Sequence, residues 1–193
     1  MKYKENLKVV NAGFAGSTEK NAPCRFSMFA AGIFRQAPLP QPVANFPRTR
    51  AIERPAPCVI MPVMCGIAGM VLTAGGVDAG VIMRMRDTLT HRGPDDAGLY
   101  VSPDGCVGLG HRRLSILDLS ERGRQPMADP LGRAIIVYNG EVYNFADLRR
   151  QLEDAGVTFR SDTDTEVILQ AYLAWSESFV DHLEGMFSIA LWD

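Results

Sequence analysis

From residue 64 onward, apolar and polar positions alternate in blocks whose spacing predicts short strands and amphipathic helices. Residues 66–72 form an unbroken run of apolar residues and glycine that ends at Gly75-Gly76, the pattern of a buried strand. Asp78 is placed to cap a helix reaching about Leu89, with Val81, Ile82, Met85 and Leu89 on one face. Two more strands are predicted over 106–111 and 134–138. Asn144 is placed to cap a helix carrying Leu148, Leu152 and Ala155, closed by Gly156. Thr163-Asp164-Thr165-Glu166 has the spacing of a capping box and opens a helix with Val167, Ile168, Ala171 and Tyr172. A last strand over 187–192 runs to the end of the chain, which predicts an incomplete domain with an open sheet edge after Trp192.

Residues 1–63 carry no comparable pattern. Pro38-Leu39-Pro40-Gln41-Pro42 lacks donors for a ladder, and Phe29, Phe34 and Phe46 follow neither helix nor strand spacing. Eight of the twelve prolines fall here, with nine Lys or Arg against three Glu, a net of +6. Residues 64–193 hold eleven basic and nineteen acidic residues, a net of −8. Two segments this different do not share one core. The first reads as a disordered, Pro-rich basic leader. The apolar run near its start is broken by Asn11 and Lys20, which excludes a secretory signal. A transit peptide fits better, and a true start at Met61 or Met64 would remove the segment altogether.

The whole chain, 193 residues with 47% hydrophobic and 22% charged, has the composition of a globular protein. No apolar run is long enough for a membrane-spanning helix. A net charge of −2 gives no reason to expect nucleic acid or a membrane surface as partner. The four cysteines, at 24, 58, 65 and 106, form no CxxC pair and no zinc site, so a reducing compartment is expected, the cytoplasm by default.

Several polar clusters interrupt the pattern. His91-Arg92-Gly93-Pro94-Asp95-Asp96-Ala97-Gly98 is rich in turn formers, and two arginines follow the strand ending at His111. Tyr138-Asn139-Gly140-Glu141 closes another strand on Asn-Gly, a tight-turn dipeptide. Singly, each has a plain reading: a hairpin turn, solvated arginines, a structural histidine. In order, however, Met64-Cys65-Gly66-Ile67-Ala68-Gly69, HRGPDDAG, GHRRLSILDLS, QPM, YNGEVYNF, SDTDTEVI and LEGMFSIALWD resemble the class II glutamine amidotransferase domain. Among its branches they resemble the glutamine-hydrolysing asparagine synthetases.

That resemblance implies an α+β fold, a four-layer α/β/β/α sandwich of the N-terminal nucleophile hydrolase type, here incomplete. It implies L-glutamine as substrate and Cys65 as nucleophile. A thiol with a free pKa of ~8.5 needs a proton acceptor, which in this family is the cysteine's own α-amine, at roughly 7.7–8.0. Asn139 and Gly140 are implied as oxyanion donors, Arg113 as the fork for the α-carboxylate, and Asp164 with Glu141 as partners of the α-ammonium. Arg112 is left without a role and read as surface, and Cys106 as a small apolar strand residue. With residues 1–64 attached, the nitrogen of Cys65 is an amide and the base is missing, so processing or a start at Met64 is expected. The segment itself implies no cofactor. ATP and magnesium belong to a synthetase domain that the family places after this one, and a homodimer is compatible with the reading. Two alternatives remain: an amidotransferase for another acceptor, and a catalytically silent glutamine- or partner-binding module that keeps its leader.

Overall fold

A computed structural model describes residues 8–13, 25–31, 65–114 and 123–193. All four expected strands form, and all but the first are longer than the apolar runs that announced them. They are β3 (Gly66–Val71), β5 (Val107–Arg113) and β7 (Ile135–Val142), and β8 (Gly185–Trp192) completes the set. The helices are α1 (Ala79–Asp87), α2 (Phe145–Asp154) and α3 (Asp164–Trp175), followed by a 3₁₀ helix at Ser176–His182. Strand β4 (Asp96–Val101) starts inside the HRGPDDAG segment, whose turn-rich half hides it from a periodicity argument. Strand β6 is only Met127–Ala128.

Two further strands lie where no periodicity was found, β1 (Lys8–Gly13) and β2 (Arg25–Ala31). They form an antiparallel pair, and β2 lies along β8 from Phe26↔Trp192 to Ala31↔Phe187. These thirteen positions differ from the expectation of a disordered leader, and β8 does not have the open edge expected of it. Strand pairing needs only backbone groups, so a partner strand supplies the missing ladder without any side-chain signature. The remainder of the leader lies outside the described residues.

The five-stranded sheet has the order β1-β2-β8-β7-β6 and the three-stranded sheet the order β3-β5-β4, with every pairing antiparallel. One apolar cluster joins the two sheets. Val107 and Leu109 of β5 meet Ile135 and Val137 of β7 and Ala190 and Trp192 of β8. A second cluster lies on the other face of β7 and β8, where Ile136, Tyr138, Ile189 and Leu191 pack on Leu148 and Leu152 of α2 and Val167, Ile168 and Ala171 of α3. Helix α1 covers the outer face of β5, with Ile82 fully buried against Gly108. The alternation of strand side chains is therefore unambiguous: odd positions of β5 and β7 face the other sheet, and even positions face helices.

Helix ends follow the expectations with two changes. The Asp78 carboxylate accepts from Gly80 N–H at 2.7 Å, as a cap should. Asn144 precedes α2 without capping it. Its amide donates to the His182 carbonyl at 2.8 Å and accepts from Glu184 N–H at 3.0 Å, tying α2 to the start of β8. At α3, Thr163 Oγ1 accepts from Glu166 N–H at 3.3 Å, half of the expected capping box. The Glu166 carboxylate turns instead to the preceding loop and accepts from the N–H groups of Arg160 and Ser161 and from the Ser161 hydroxyl.

Candidate active site

Cys65 sits directly before β3, opposite the end of β5. Its half-buried Sγ accepts from Leu114 N–H at 3.4 Å and donates to the Leu114 carbonyl at 3.8 Å. Its own carbonyl accepts from Arg92 Nε at 3.2 Å, an anchor that the HRGPDDAG motif contained but for which spacing gave no role.

The consecutive arginines part company by strand alternation. Arg112, at an even position, turns to the α1 side, where Nη2 donates to Thr90 Oγ1 at 2.5 Å and pairs with Asp87 at 3.2 Å. Its side chain is only 16% exposed, and its buried Nε has no partner among the described residues. The reading of Arg112 as surface is thus corrected: it is a strut between β5 and the end of α1. Arg113, at an odd position, faces the other sheet. A β-carbon on Gly123 would lie 2.5 Å from Arg113 Nη2 and 3.2 Å from the Thr163 methyl, so the guanidinium passes through the space that glycine leaves open, beside the start of α3. His111, on the same face, is 1% exposed, and its Nε2 lies 3.3 Å from the Tyr138 carbonyl. Burial pulls its pKa down to about 4.

Asn139 and Gly140 do not form the turn expected of Asn-Gly. Strand β7 continues through them to Val142, pairing Asn139 with Ser188 and Gly140 with Phe187. Gly140 has φ +149°, and a β-carbon there would meet the Met186 carbonyl oxygen at 2.1 Å. Only glycine fits this twist and this close approach of β8. Asn139 and Glu141 have the parity of Val137, which faces the other sheet.

Asp164 is the first residue of α3. Its Oδ2 accepts from the Tyr138 hydroxyl at 2.9 Å. Burial, with a smaller contribution from Glu141, moves its pKa upward, against the hydrogen bonds from Tyr138 and Thr165. The six residues are thus linked through neighbours. Cys65 touches Leu114, Arg113 precedes Leu114, its guanidinium lies beside Thr163, and Asp164 reaches back to β7 next to Asn139, Gly140 and Glu141. Such an arrangement offers a thiol, a guanidinium and two carboxylates on facing elements, which suits a zwitterionic amino acid. Among the described residues no group of three or more His, Cys, Asp or Glu side chains could hold a metal, and no helix is long and apolar enough to cross a membrane.

Comparison with known proteins decides the family. Residues 64–193 match the family model of the glutamine amidotransferase domain. The chain belongs to that family. Asparagine synthetase [glutamine-hydrolyzing] 3 of Bacillus subtilis (strain 168) is 44% identical over 134 residues, covering 67% of this chain and 21% of that protein. Asparagine synthetase [glutamine-hydrolyzing] 1 of the same organism is 40% identical with the same coverage. Amidase chry2 of Gibberella zeae is 38% identical over 141 residues, again 67% of this chain and 21% of its own length. The chain spans about a fifth of the length of these relatives.

Proposed function

We propose that this amidotransferase domain is the glutaminase part of an enzyme of the asparagine synthetase kind. The observation that carries the reading is the match of residues 64–193 to the glutamine amidotransferase domain, in which Cys65 is the second residue of the matched segment. The thiol of Cys65 would attack the side-chain amide carbon of glutamine. The oxyanion would be held by the Asn139 side-chain amide and Gly140 N–H. Collapse expels ammonia, and water then hydrolyses the thioester to glutamate. The proton leaving the thiol goes to the α-amine of Cys65 once that residue heads the chain, and is passed to the departing nitrogen. Arg113 would grip the α-carboxylate, and Asp164 with Glu141 the α-ammonium.

In the complete enzyme the ammonia would amidate aspartate in an ATP- and magnesium-dependent synthetase domain. The two face-to-face sheets with α1 on one side and α2 and α3 on the other support a four-layer α/β/β/α arrangement of the N-terminal nucleophile type. The same reading makes this a cytoplasmic enzyme, with a homodimer as the assembly to test.

The relative named Amidase chry2 favours a second possibility for the acceptor, one other than aspartate. The amide nitrogen at Cys65 in the 193-residue chain favours a silent glutamine-binding module for that form. One experiment separates the active glutaminase from the silent module. The full chain, the same chain trimmed by cleavage before Cys65 so that β1 and β2 stay paired with β8, and its Cys65→Ala variant are compared for release of glutamate from glutamine, with intact mass verifying each N-terminus. The trimmed chain should exceed the full one by about 10²- to 10⁴-fold, the range of general-base help, and Cys65→Ala should be inactive. Equal rates with the leader intact, or a Cys65→Ala variant that still hydrolyses glutamine, would remove the mechanism.

A further inference from the structure

A closed circuit of hydrogen bonds lies beside the proposed site, and the chemistry above does not use it. Tyr138 N–H donates to Gln125 Oε1 at 2.6 Å, and Gln125 Nε2 donates to Thr165 Oγ1 at 3.1 Å. Thr165 Oγ1 donates to Asp164 Oδ1 at 3.5 Å, and the Tyr138 hydroxyl donates to Asp164 Oδ2 at 2.9 Å. The circuit leaves from the backbone of Tyr138 and returns through its side chain, and Gln125, Tyr138 and Thr165 are all buried.

Its direction is fixed by chemistry. A backbone N–H can only donate, so the Gln125 oxygen must face Tyr138 and its NH₂ must face Thr165. The NH₂ occupies a lone pair of the threonine hydroxyl, which leaves that proton for Asp164. Both protons that reach Asp164 come from neutral hydroxyls, and a carboxylate accepts both where a carboxylic acid would have to donate one itself. The opposing influences are also on the page. Asp164 is largely buried, and Glu141 on β7 is a like charge nearby, so both favour the neutral acid. Arg113 approaches the start of α3 from β5, beside Thr163. Glu166, the other acid of this helix turn, is committed to Arg160 and Ser161. The Tyr138 phenol is moved upward by its own burial and then by Asp164, so it remains an O–H donor.

We propose that Tyr138, braced by Gln125, is a positioning residue that keeps the Asp164 carboxylate ionised and aimed, and thereby lets the site distinguish an amino acid with an α-ammonium from an analogue without one. This deepens the reading of Asp164 given under the proposed function and rests on it. Gln125 gives the QPM motif a role that its spacing did not reveal. The tyrosine acts through Asp164 and not on the substrate.

The test has two arms, both on the full chain. Carbon-13-labelled aspartate lets the Asp164 carboxyl be followed through a pH titration, its signal being the one lost in Asp164→Asn. In Tyr138→Phe the ratio of ionised to neutral Asp164 at a given pH should fall about tenfold or more, because a hydrogen bond to a charged group is lost while burial and Glu141 remain. A 3-fluorotyrosine at position 138 is a stronger donor and should move the titration the other way, and it serves where Tyr138→Phe does not fold. A titration unmoved by either replacement overturns the inference. The second arm compares, by calorimetry, glutamine with 4-carbamoylbutanoate, which lacks the α-amino group. The parent should prefer glutamine, and Tyr138→Phe should lose most of that preference, more so at lower pH. A preference fully kept in Tyr138→Phe overturns the inference. No preference in the parent, with the titration nonetheless shifted, overturns Asp164 as ammonium partner and the recognition half of the inference with it.

Discussion

Arg112 and Arg113 are identical in composition and adjacent in sequence, yet a strand sends them to opposite layers. Arg112 is spent on Asp87 and Thr90, while Arg113 passes Gly123 toward the start of α3. In an active enzyme whose chain begins at Cys65, Arg113→Ala should raise KM for glutamine by roughly 10- to 150-fold, the worth of a charge-assisted hydrogen bond. Arg112→Ala should leave KM near its parent value and lower thermal stability instead. Equal KM effects would contradict the division. His111 gives a second prediction at this scale. Its pKa of about 4 lies below the ordinary 6.5, so between these values the unfolded chain binds a proton that the folded chain refuses. Stability should therefore fall as pH drops from 6.5 toward 4, by on the order of 3 kcal/mol from this residue. The raised pKa of Asp164 acts in the opposite sense above its ordinary value. The comparison that isolates the histidine is His111→Gln, in which denaturant melts should show a flatter pH dependence than the parent.

The elements that matter most are the start of α3 and the middle of β7, because the proposed site is assembled from their ends. Helix α3 is fixed by Glu166, which is 3% exposed and satisfies the backbone of Arg160 and Ser161 as well as the Ser161 hydroxyl. Removing that carboxylate strands buried donors, each worth about 1–3 kcal/mol when left unpaired. Glu166→Ala should thus destabilise the fold by about 3 kcal/mol in urea denaturation, and it should weaken glutamine binding indirectly by releasing Asp164. Parent-like stability would show that the loop before α3 finds other partners. In β7 the controlling feature is Gly140, whose positive φ lets the strand continue past Asn139 without colliding with β8. The Asn-Gly pair that suggests a hairpin turn locally is here a twist within a paired strand.

At the scale of the whole molecule, the larger sheet is completed from the N-terminal segment. Strand β2 occupies the edge of β8 along six consecutive pairs, and β1 adds the outermost strand. Deleting residues 1–31 would uncover a long edge next to Ile189 and Leu191. Uncovered edges of this kind pair with other chains. The deleted chain should melt at least ~5 °C lower and form oligomers in light scattering, given that 1 kcal/mol corresponds to about 2–4 °C at this size. An unchanged melt with a monodisperse monomer would mean that the hairpin adds nothing to the sheet. The same segment sits upstream of Cys65, so the part of the chain that completes the sheet also makes the nitrogen of Cys65, the proposed nucleophile, an amide.

Local order was legible in the sequence because it depends on neighbours along the chain. The apolar runs marked β3, β5, β7 and β8, and Asp78 and Thr163 marked two helix starts, while the ordered motifs nominated the residues of the proposed site, Cys65, Arg113, Asn139, Gly140, Glu141 and Asp164. Strand β4 hid in a turn-rich motif, and β1 and β2 hid in a segment without periodicity, because a strand can be stabilised by the ladder it joins as well as by its own pattern. Strand parity was also implicit once β5 and β7 were known, although which face met sheet and which met helix was not. Only the tertiary structure decided that Arg113 and not Arg112 faces the other sheet, that Asn144 ties two elements together, and that Arg92 anchors Cys65. It alone brought Gln125 and Tyr138 to Asp164, since hydrogen bonds between residues 13 to 40 positions apart leave no trace in local spacing.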